Sequence, residues 1–139
     1  MIDTTFSPLR RRAPLGGAVL LTLLCFLPLS GCNSGPGRHP VAPDQAKQTL
    51  EKVLNGWKEG KPADTWRKEK PEIVVQDFDW TGGKKLTSFE IVGDGKAVDA
   101  VLHCEVKLVL DDGGQPTTKT VTYLVGTSPV LTVFRSFGS

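Results

Sequence analysis

Residues 97–110 read AVDAVLHCEVKLVL and form the clearest strand pattern in the 139-residue chain. Every second side chain from Val98 onward is apolar, whereas the intervening positions include Asp99, His103 and Glu105. Strict alternation predicts a β-strand with one face in a core and the other face at least partly wet, as antiparallel sheets allow. We predict the fold outward from this strand.

Turn signals divide the surrounding sequence into further strands. Period-two runs lie at 73–80, 86–92, 119–125 and 130–134, and turns rich in Gly, Asp, Ser or Pro lie at 81–84, 93–95, 111–114 and 126–129. Connections this short usually join consecutive antiparallel strands as hairpins. The sequence therefore predicts an antiparallel meander of four to five strands.

A helical segment precedes the strands. Between residues 44 and 59 the apolar side chains recur at helical spacing and form one stripe: Ala46, Leu50, Val53, Leu54 and Trp57. Pro43 and Asp44 suit a first helical turn, and Gly60 suits a helix end. Residues 62–70 predict a short second helix. The predicted fold class is α+β, with one main N-terminal helix and a short second helix packed on the sheet.

The N-terminal segment carries the whole net charge of the chain. Arg10, Arg11 and Arg12, less Asp3, account for the formal charge of +2, so residues 32–139 are formally neutral. No basic stretch remains of the kind that nucleic-acid binding requires. We therefore predict no nucleic-acid partner.

Residues 10–32 combine a basic patch, an apolar run and a cysteine. The uninterrupted apolar part is about ten residues long, which is typical of a signal peptide and short of the roughly 20 residues that span a bilayer. The run ends in Leu29-Ser30-Gly31-Cys32, which resembles the lipobox of bacterial lipoproteins. The alternatives are an ordinary secretory peptide with an incidental cysteine, or an uncleaved anchor.

The lipoprotein resemblance implies a domain organisation and a location. It implies a cleaved signal peptide (1–31), then an acylated Cys32 with a flexible Gly/Pro linker (32–43), then a single α+β domain (44–139). Two or three acyl chains give a stable anchor. The implied location is the cell membrane or the outer membrane, with the lipid-anchored domain outside the cytoplasm.

The order of elements resembles a known superfold. A helix followed by a curved antiparallel sheet, over residues 44–139, is similar to the cystatin-like or nuclear-transport-factor-like α+β superfold. Members of this superfold include enzymes and non-enzymes, and many have a pocket between helices and sheet. The resemblance therefore implies no particular reaction.

Few residues qualify as catalytic candidates. His103 shares a strand face with Asp99 and Glu105, and a carboxylate–histidine pair can serve acid–base chemistry. A wet sheet face with mixed charge is the favoured interpretation. Cys104 points to the core face, and it has no disulfide partner if Cys25 is removed and Cys32 is acylated.

Aromatic and acidic residues give weaker candidates for binding. Trp80, at a predicted strand end, and Phe137 are the better aromatic candidates for an exposed contact surface, although packing in the core is the favoured interpretation. Trp57 is predicted to fill the core. Asp77 and Asp79 form an Asp-x-Asp pair without a third acidic ligand. We predict no metal and no cofactor.

The predicted function is that of a membrane-anchored envelope lipoprotein whose domain is a non-catalytic binding or structural module. Its predicted partners are the membrane and an envelope protein or small ligand, with Trp80 and His103 as ligand-binding candidates. The alternative is a small enzyme on the same superfold that uses His103 with Asp99 or Glu105. A third possibility is an assembly domain that dimerises through the exposed sheet face.

Overall fold

The computed structural model describes residues 39–138, so Cys32, the rest of the lipobox and most of the linker lie outside the described residues. Within this range the chain forms, in order, α1 (Pro43–Lys58), a 3₁₀ helix (Ala63–Lys68), β1 (Ile73–Gln76), α2 (Phe78–Thr81), β2 (Lys85–Val98), β3 (Val101–Asp112), β4 (Gln115–Gly126) and β5 (Leu131–Arg135). The predicted α+β class is confirmed. No helix in this part of the chain is long and apolar enough to cross a membrane.

The five strands form one mixed sheet, in the order β1-β5-β4-β3-β2. Strands β2 to β5 pair antiparallel in succession, but β1 pairs parallel with β5, with Ile73 opposite Leu131. The prediction of a wholly antiparallel meander is therefore wrong at β1. The physical reason is α2, which separates β1 from β2, so that these two strands do not form a hairpin and β1 joins the opposite edge.

The strand predicted over residues 73–80 breaks at Asp77. β1 ends at Gln76, and α2 begins at Phe78. The Asp77 carboxylate accepts a hydrogen bond from the backbone N–H of Trp80 at 3.0 Å, which is the contact of a helix N-cap. Because Asp77 is buried, its oxygens require donors, and the capped turn supplies one. Trp80 therefore lies in a helix and not at a strand end.

β2 continues through residues 93–95, where the sequence predicted a hairpin turn. The turn to β3 lies instead at residues 99–100. The register with β3 shifts near the glycines, and Gly95 has a φ of 77°, as expected for a bulge. A Cβ at Gly95 would lie 3.0 Å from the carbonyl oxygen of His103, so glycine permits the close approach of the two strands.

α1 packs across one face of the sheet. Its predicted apolar stripe is buried, and the facing positions of β3 are buried as predicted: Leu102, Cys104, Val106, Leu108 and Leu110. Val98, predicted for the same face, is exposed because it belongs to β2 and precedes the turn. The prediction that the main helix is N-terminal is wrong within the described region. Residues 39–42 precede α1, and Val41 among them is already buried. Burial raises the pKa of the Cys104 thiol, which is typical of an inert core cysteine.

A glycine in α1 makes room for a buried tryptophan. Trp66 of the 3₁₀ helix packs directly over Gly56, and an added Cβ at Gly56 would overlap the Trp66 ring. The Nζ atoms of Lys52 and Lys61 lie 5.4 and 5.8 Å from the centre of the same ring, within cation–π range. This contact fixes the 3₁₀ helix against α1.

Gly56→Ala should therefore destabilise the fold by about 1–3 kcal/mol, because the overlap with Trp66 outweighs the roughly 1 kcal/mol by which alanine is the better helix former. Urea denaturation measures the free energy of unfolding. The control is Asn55→Ala, at the exposed neighbouring position, which should change it by less than about 0.5 kcal/mol. A more stable Gly56→Ala protein would contradict the packing.

Candidate functional site

Two concavities adjoin along the seam between α1 and β2. The first, which we name the β2 groove, has a volume of about 540 Å³ and is lined by Lys47, Glu51, Asn55 and Lys58 of α1 and by Phe89 and Ile91 of β2, among others. The second, which we name the Trp cleft, has a volume of about 500 Å³ and includes Trp57, Trp80, Lys58, Lys61, Lys84 and Lys85 in its lining. Because Lys58 lines both, the two concavities adjoin at this residue.

Two tryptophans hold the Trp cleft together. Trp57 of α1 and Trp80 of α2 stack with ring centroids 5.0 Å apart and planes at 4°. The Trp57 indole N–H donates to the carbonyl oxygen of Lys84 at 2.9 Å, and the Trp80 indole N–H donates to that of Lys61 at 3.0 Å. The Trp57 indole thus binds the segment that follows α2, and the Trp80 indole binds the segment that follows α1. Such a stacked pair contributes about 0.5–1.5 kcal/mol beyond its burial. We refer to this pair as the crossed Trp clasp.

Asp77 positions Trp80 within the clasp. Its side chain is 1% exposed, and Oδ2 accepts a hydrogen bond from the Tyr123 hydroxyl at 2.6 Å. Nη1 of Arg135 lies 3.7 Å from Oδ1 of Asp77. Burial, followed by the charge of Asp77, raises the pKa of Tyr123, so its hydroxyl remains protonated and able to donate. These contacts join α2 to β4 and β5.

Asp79, in the first turn of α2, has three cationic partners. It accepts hydrogen bonds from Arg135 and from Lys119 at 3.1 Å, and it pairs with Lys84 at 3.2 Å. Burial alone would raise the pKa of Asp79, but these cationic donors outweigh burial and lower it to about 2. Lys84 also pairs with Asp112 at 3.0 Å. The hydrogen bonds to Asp112 and then to Asp79 raise the pKa of Lys84.

The lysines around the Trp cleft differ in their partners. Lys84 is paired as described above, and Lys61 pairs with Glu59 at 2.9 Å. Lys58 and Lys85 are exposed and form no ion pair with any carboxylate in residues 39–138. The cleft therefore presents two unpaired positive charges beside apolar indole rings. This combination suits an anionic group attached to an apolar or planar body.

The two residues that the sequence indicated as ligand-binding candidates, Trp80 and His103, do not line one common concavity. Trp80 is only 8% exposed, which agrees with the favoured interpretation that it packs in the core, and it also lines the Trp cleft. His103 is half-buried on the sheet face away from α1, and it lines neither the β2 groove nor the Trp cleft. Its use as a catalytic group with Asp99 or Glu105 stays a prediction.

The structure also gives the positions of the acidic pair, Asp77 and Asp79, and of Phe137. Asp77 and Asp79 are not on one strand face; they are the cap and a first-turn residue of α2. Residues 39–138 contain no group of three His, Cys, Asp or Glu side chains placed to hold a metal ion. Phe137 is 80% exposed, whereas packing was the favoured interpretation, and its ring lies 4.9 Å from that of Phe78.

The sequence contained a signal for α2 that the strand pattern concealed. Acidic residues at a helix N-cap and in the first turn are favourable, and Asp77 with Asp79 fits this pattern. No local signal predicts the pairing of Trp57 with Trp80 or the partners of Arg135, because these contacts join distant parts of the chain.

Comparison with known proteins gives no similarity to draw on, since no protein-family model, no curated protein and no solved structure matches the chain. The resemblances to bacterial lipoproteins and to the cystatin-like or nuclear-transport-factor-like superfold therefore stay predictions.

The pKa of Asp79 predicts how stability changes in acid. Its folded value of about 2 lies below its ordinary value of 3.8, so ionised Asp79 stabilises the fold above about pH 4, and this stabilisation is lost as the pH falls through about 2. Asp79→Asn should flatten the fall in melting temperature across this interval. It should also lower the stability at pH 7 by about 1–3 kcal/mol, because Arg135 loses a charged partner.

Calorimetric melts between pH 2 and pH 7 measure this effect. The control is Asp94→Asn, which removes an exposed carboxylate paired with Lys47 at 2.8 Å and should keep most of the acid slope. An acid slope in Asp79→Asn as steep as that of the unaltered chain would contradict the assignment.

Proposed function

We propose that the chain is a lipid-anchored envelope lipoprotein whose domain is a non-catalytic binding module, held outside the cytoplasm by acyl chains on Cys32. The anchor is supported by the basic patch, apolar run and lipobox-like sequence of residues 10–32. The binding role is supported by the Trp cleft. Its ligand is an anionic group, carried by a small molecule or by an envelope protein.

The observation that carries the binding role is the crossed Trp clasp. Because each wall of the cleft is fixed by an indole hydrogen bond, the cleft exists before a ligand arrives, and less ordering is required on binding. The positive charge of the cleft comes from Lys58 and Lys85, which form no ion pair with a described carboxylate. Two such exposed ammonium groups beside the indole rings suit the holding of an anion.

The place of the Trp cleft in the domain also fits a tethered binding module. The predicted linker enters α1 at Pro43, whereas Trp57 and Lys58 lie at the other end of this 16-residue helix. At a rise of 1.5 Å per residue, the two ends are about 24 Å apart. A domain tethered at Pro43 therefore leaves the cleft accessible to a ligand in the envelope.

Cys32→Ser tests the anchor. The substitution should abolish incorporation of labelled fatty acid and move the chain from the membrane fraction to the soluble fraction, because the thiol that carries the diacylglyceryl group is lost. Cys25→Ser, the same change within the predicted signal peptide, is the matched control and should leave both properties intact. A Cys32→Ser chain that remains in the membrane fraction would contradict the proposal.

Phenyl phosphate, which joins an anion to an aromatic ring, tests the Trp cleft. Titration followed by amide NMR should shift signals around Trp57, Gly83 and Lys85. The double variant Lys58→Glu, Lys85→Glu should weaken binding by about tenfold or more, equivalent to about 1.4 kcal/mol. The matched control Lys96→Glu, Lys107→Glu reverses two exposed lysines of β2 and β3 outside the cleft. Equal weakening in both double variants would count against the cleft.

A further inference from the structure

β2 is an edge strand, and two irregularities delimit a regular segment within it. β2 is last in the strand order, so its outer edge faces no strand of the described region. Register shifts occur between Leu86 and Ser88 and between Val92 and Lys96. Between them, residues 88–92 pair continuously with β3 and have an outer edge at which another strand can pair.

The β2 groove runs beside this regular segment. Phe89 and Ile91 form its apolar floor, and both are only partly buried. Between Lys47 and Lys58, both in the α1 wall, the helix rises about 16 Å at 1.5 Å per residue. Five residues of an extended strand span about 17 Å at 3.4 Å per residue. The groove and residues 88–92 therefore match a five-residue extended segment in length.

A strand added at this edge would use the backbone and the groove together. It would lie about 4.8 Å from β2 and exchange backbone hydrogen bonds with it. Every second side chain of the added strand would point to the α1 side, over Phe89 and Ile91. In such complexes the backbone bonds supply affinity, and the alternating side chains supply specificity.

The two ends of the β2 groove differ in charge. At one end the Lys47 ammonium is held by Asp94 at 2.8 Å. At the other end Lys58 forms no ion pair with a described carboxylate, and it also lines the Trp cleft. An acidic side chain at this end would gain a partner, whereas a basic one would be repelled.

The irregular segments of β2 favour a short partner over a second sheet. The glycines at 93 and 95 have positive φ and interrupt the pairing with β3, and Lys85 and Lys96 flank the regular segment. Bulges and lysines on an edge strand discourage long edge-to-edge pairing between sheets. A short extended peptide therefore fits this edge better than a second copy of the chain.

We propose that residues 88–92 of β2 bind an extended peptide as a sixth strand, with alternating apolar side chains in the β2 groove and an acidic residue beside Lys58. The inference rests on the proposed function and names the chemistry of its ligand. The anionic group of that ligand belongs to an extended polypeptide segment and lies where the β2 groove and the Trp cleft meet.

A phage-displayed library of random ten-residue peptides, selected on the full chain in detergent micelles, supplies the probe, and fluorescence anisotropy measures affinity. Selected peptides should alternate apolar residues and carry an acidic residue at one end. Ile91→Asp, which places a charge in the groove floor, should weaken binding about tenfold or more. Val98→Asp, which places the same charge at an exposed valine of β2 outside residues 88–92, should leave the affinity within about twofold. Equal losses, or no loss in Ile91→Asp, would overturn the inference.

Amide hydrogen exchange of the unaltered chain provides a second readout if Ile91→Asp fails to fold. A bound library peptide should slow exchange within residues 88–92 and leave β1, at the opposite sheet edge, unchanged. Slower exchange at β1, or no slowing at either edge, would overturn the inference. A library that yields no binder, while phenyl phosphate still shifts the Trp cleft signals, would refute the peptide and leave the proposed function standing. Failure of both probes would refute both.

Discussion

The buried carboxylate of Asp77 is the interaction on which the candidate site depends. It caps α2 through the Trp80 amide, accepts the Tyr123 hydroxyl, and lies close to the Arg135 guanidinium. Because the Asp77 cap ends β1 and begins α2, Trp80 does not extend the sheet but stacks on Trp57. The crossed indole hydrogen bonds then fix both walls of the Trp cleft. The buried Asp77 side chain thus determines where β1 ends, where α2 lies and, through Trp80, the shape of the Trp cleft.

The distribution of charge follows from the same arrangement. Asp79 forms ion pairs with Arg135, Lys119 and Lys84. These three cations therefore already have a partner in α2. Lys58 and Lys85, on the seam between α1 and β2, have no such partner among the described carboxylates. Residues 32–139 are formally neutral, yet the structure presents a local excess of positive charge at this place. This local excess at Lys58 and Lys85 is the feature that supports the proposal of an anionic ligand.

The sequence predicted the parts of the fold that depend on local pattern. The α1 stripe, the core face of β3 and the turn near residues 111–114 were all readable from periodicity and turn residues. It failed where a buried polar contact overrode the pattern, as at Asp77, and where glycines served a bulge and not a turn, as at residues 93–95. Trp80 was a candidate for an exposed surface only as the weaker alternative to packing, and it is buried. The cleft itself arises from long-range contacts, so no local pattern could reveal it.

Hydrogen exchange of the Trp80 backbone amide tests the central role of Asp77 most directly. α2 has only four residues, and an uncapped turn of this length would exchange its amides at rates typical of surface loops. If the Asp77 carboxylate holds this turn to the sheet, the Trp80 amide should exchange as slowly as the amides of the buried part of β4. Exchange of the Trp80 amide at a rate typical of surface loops would contradict the account.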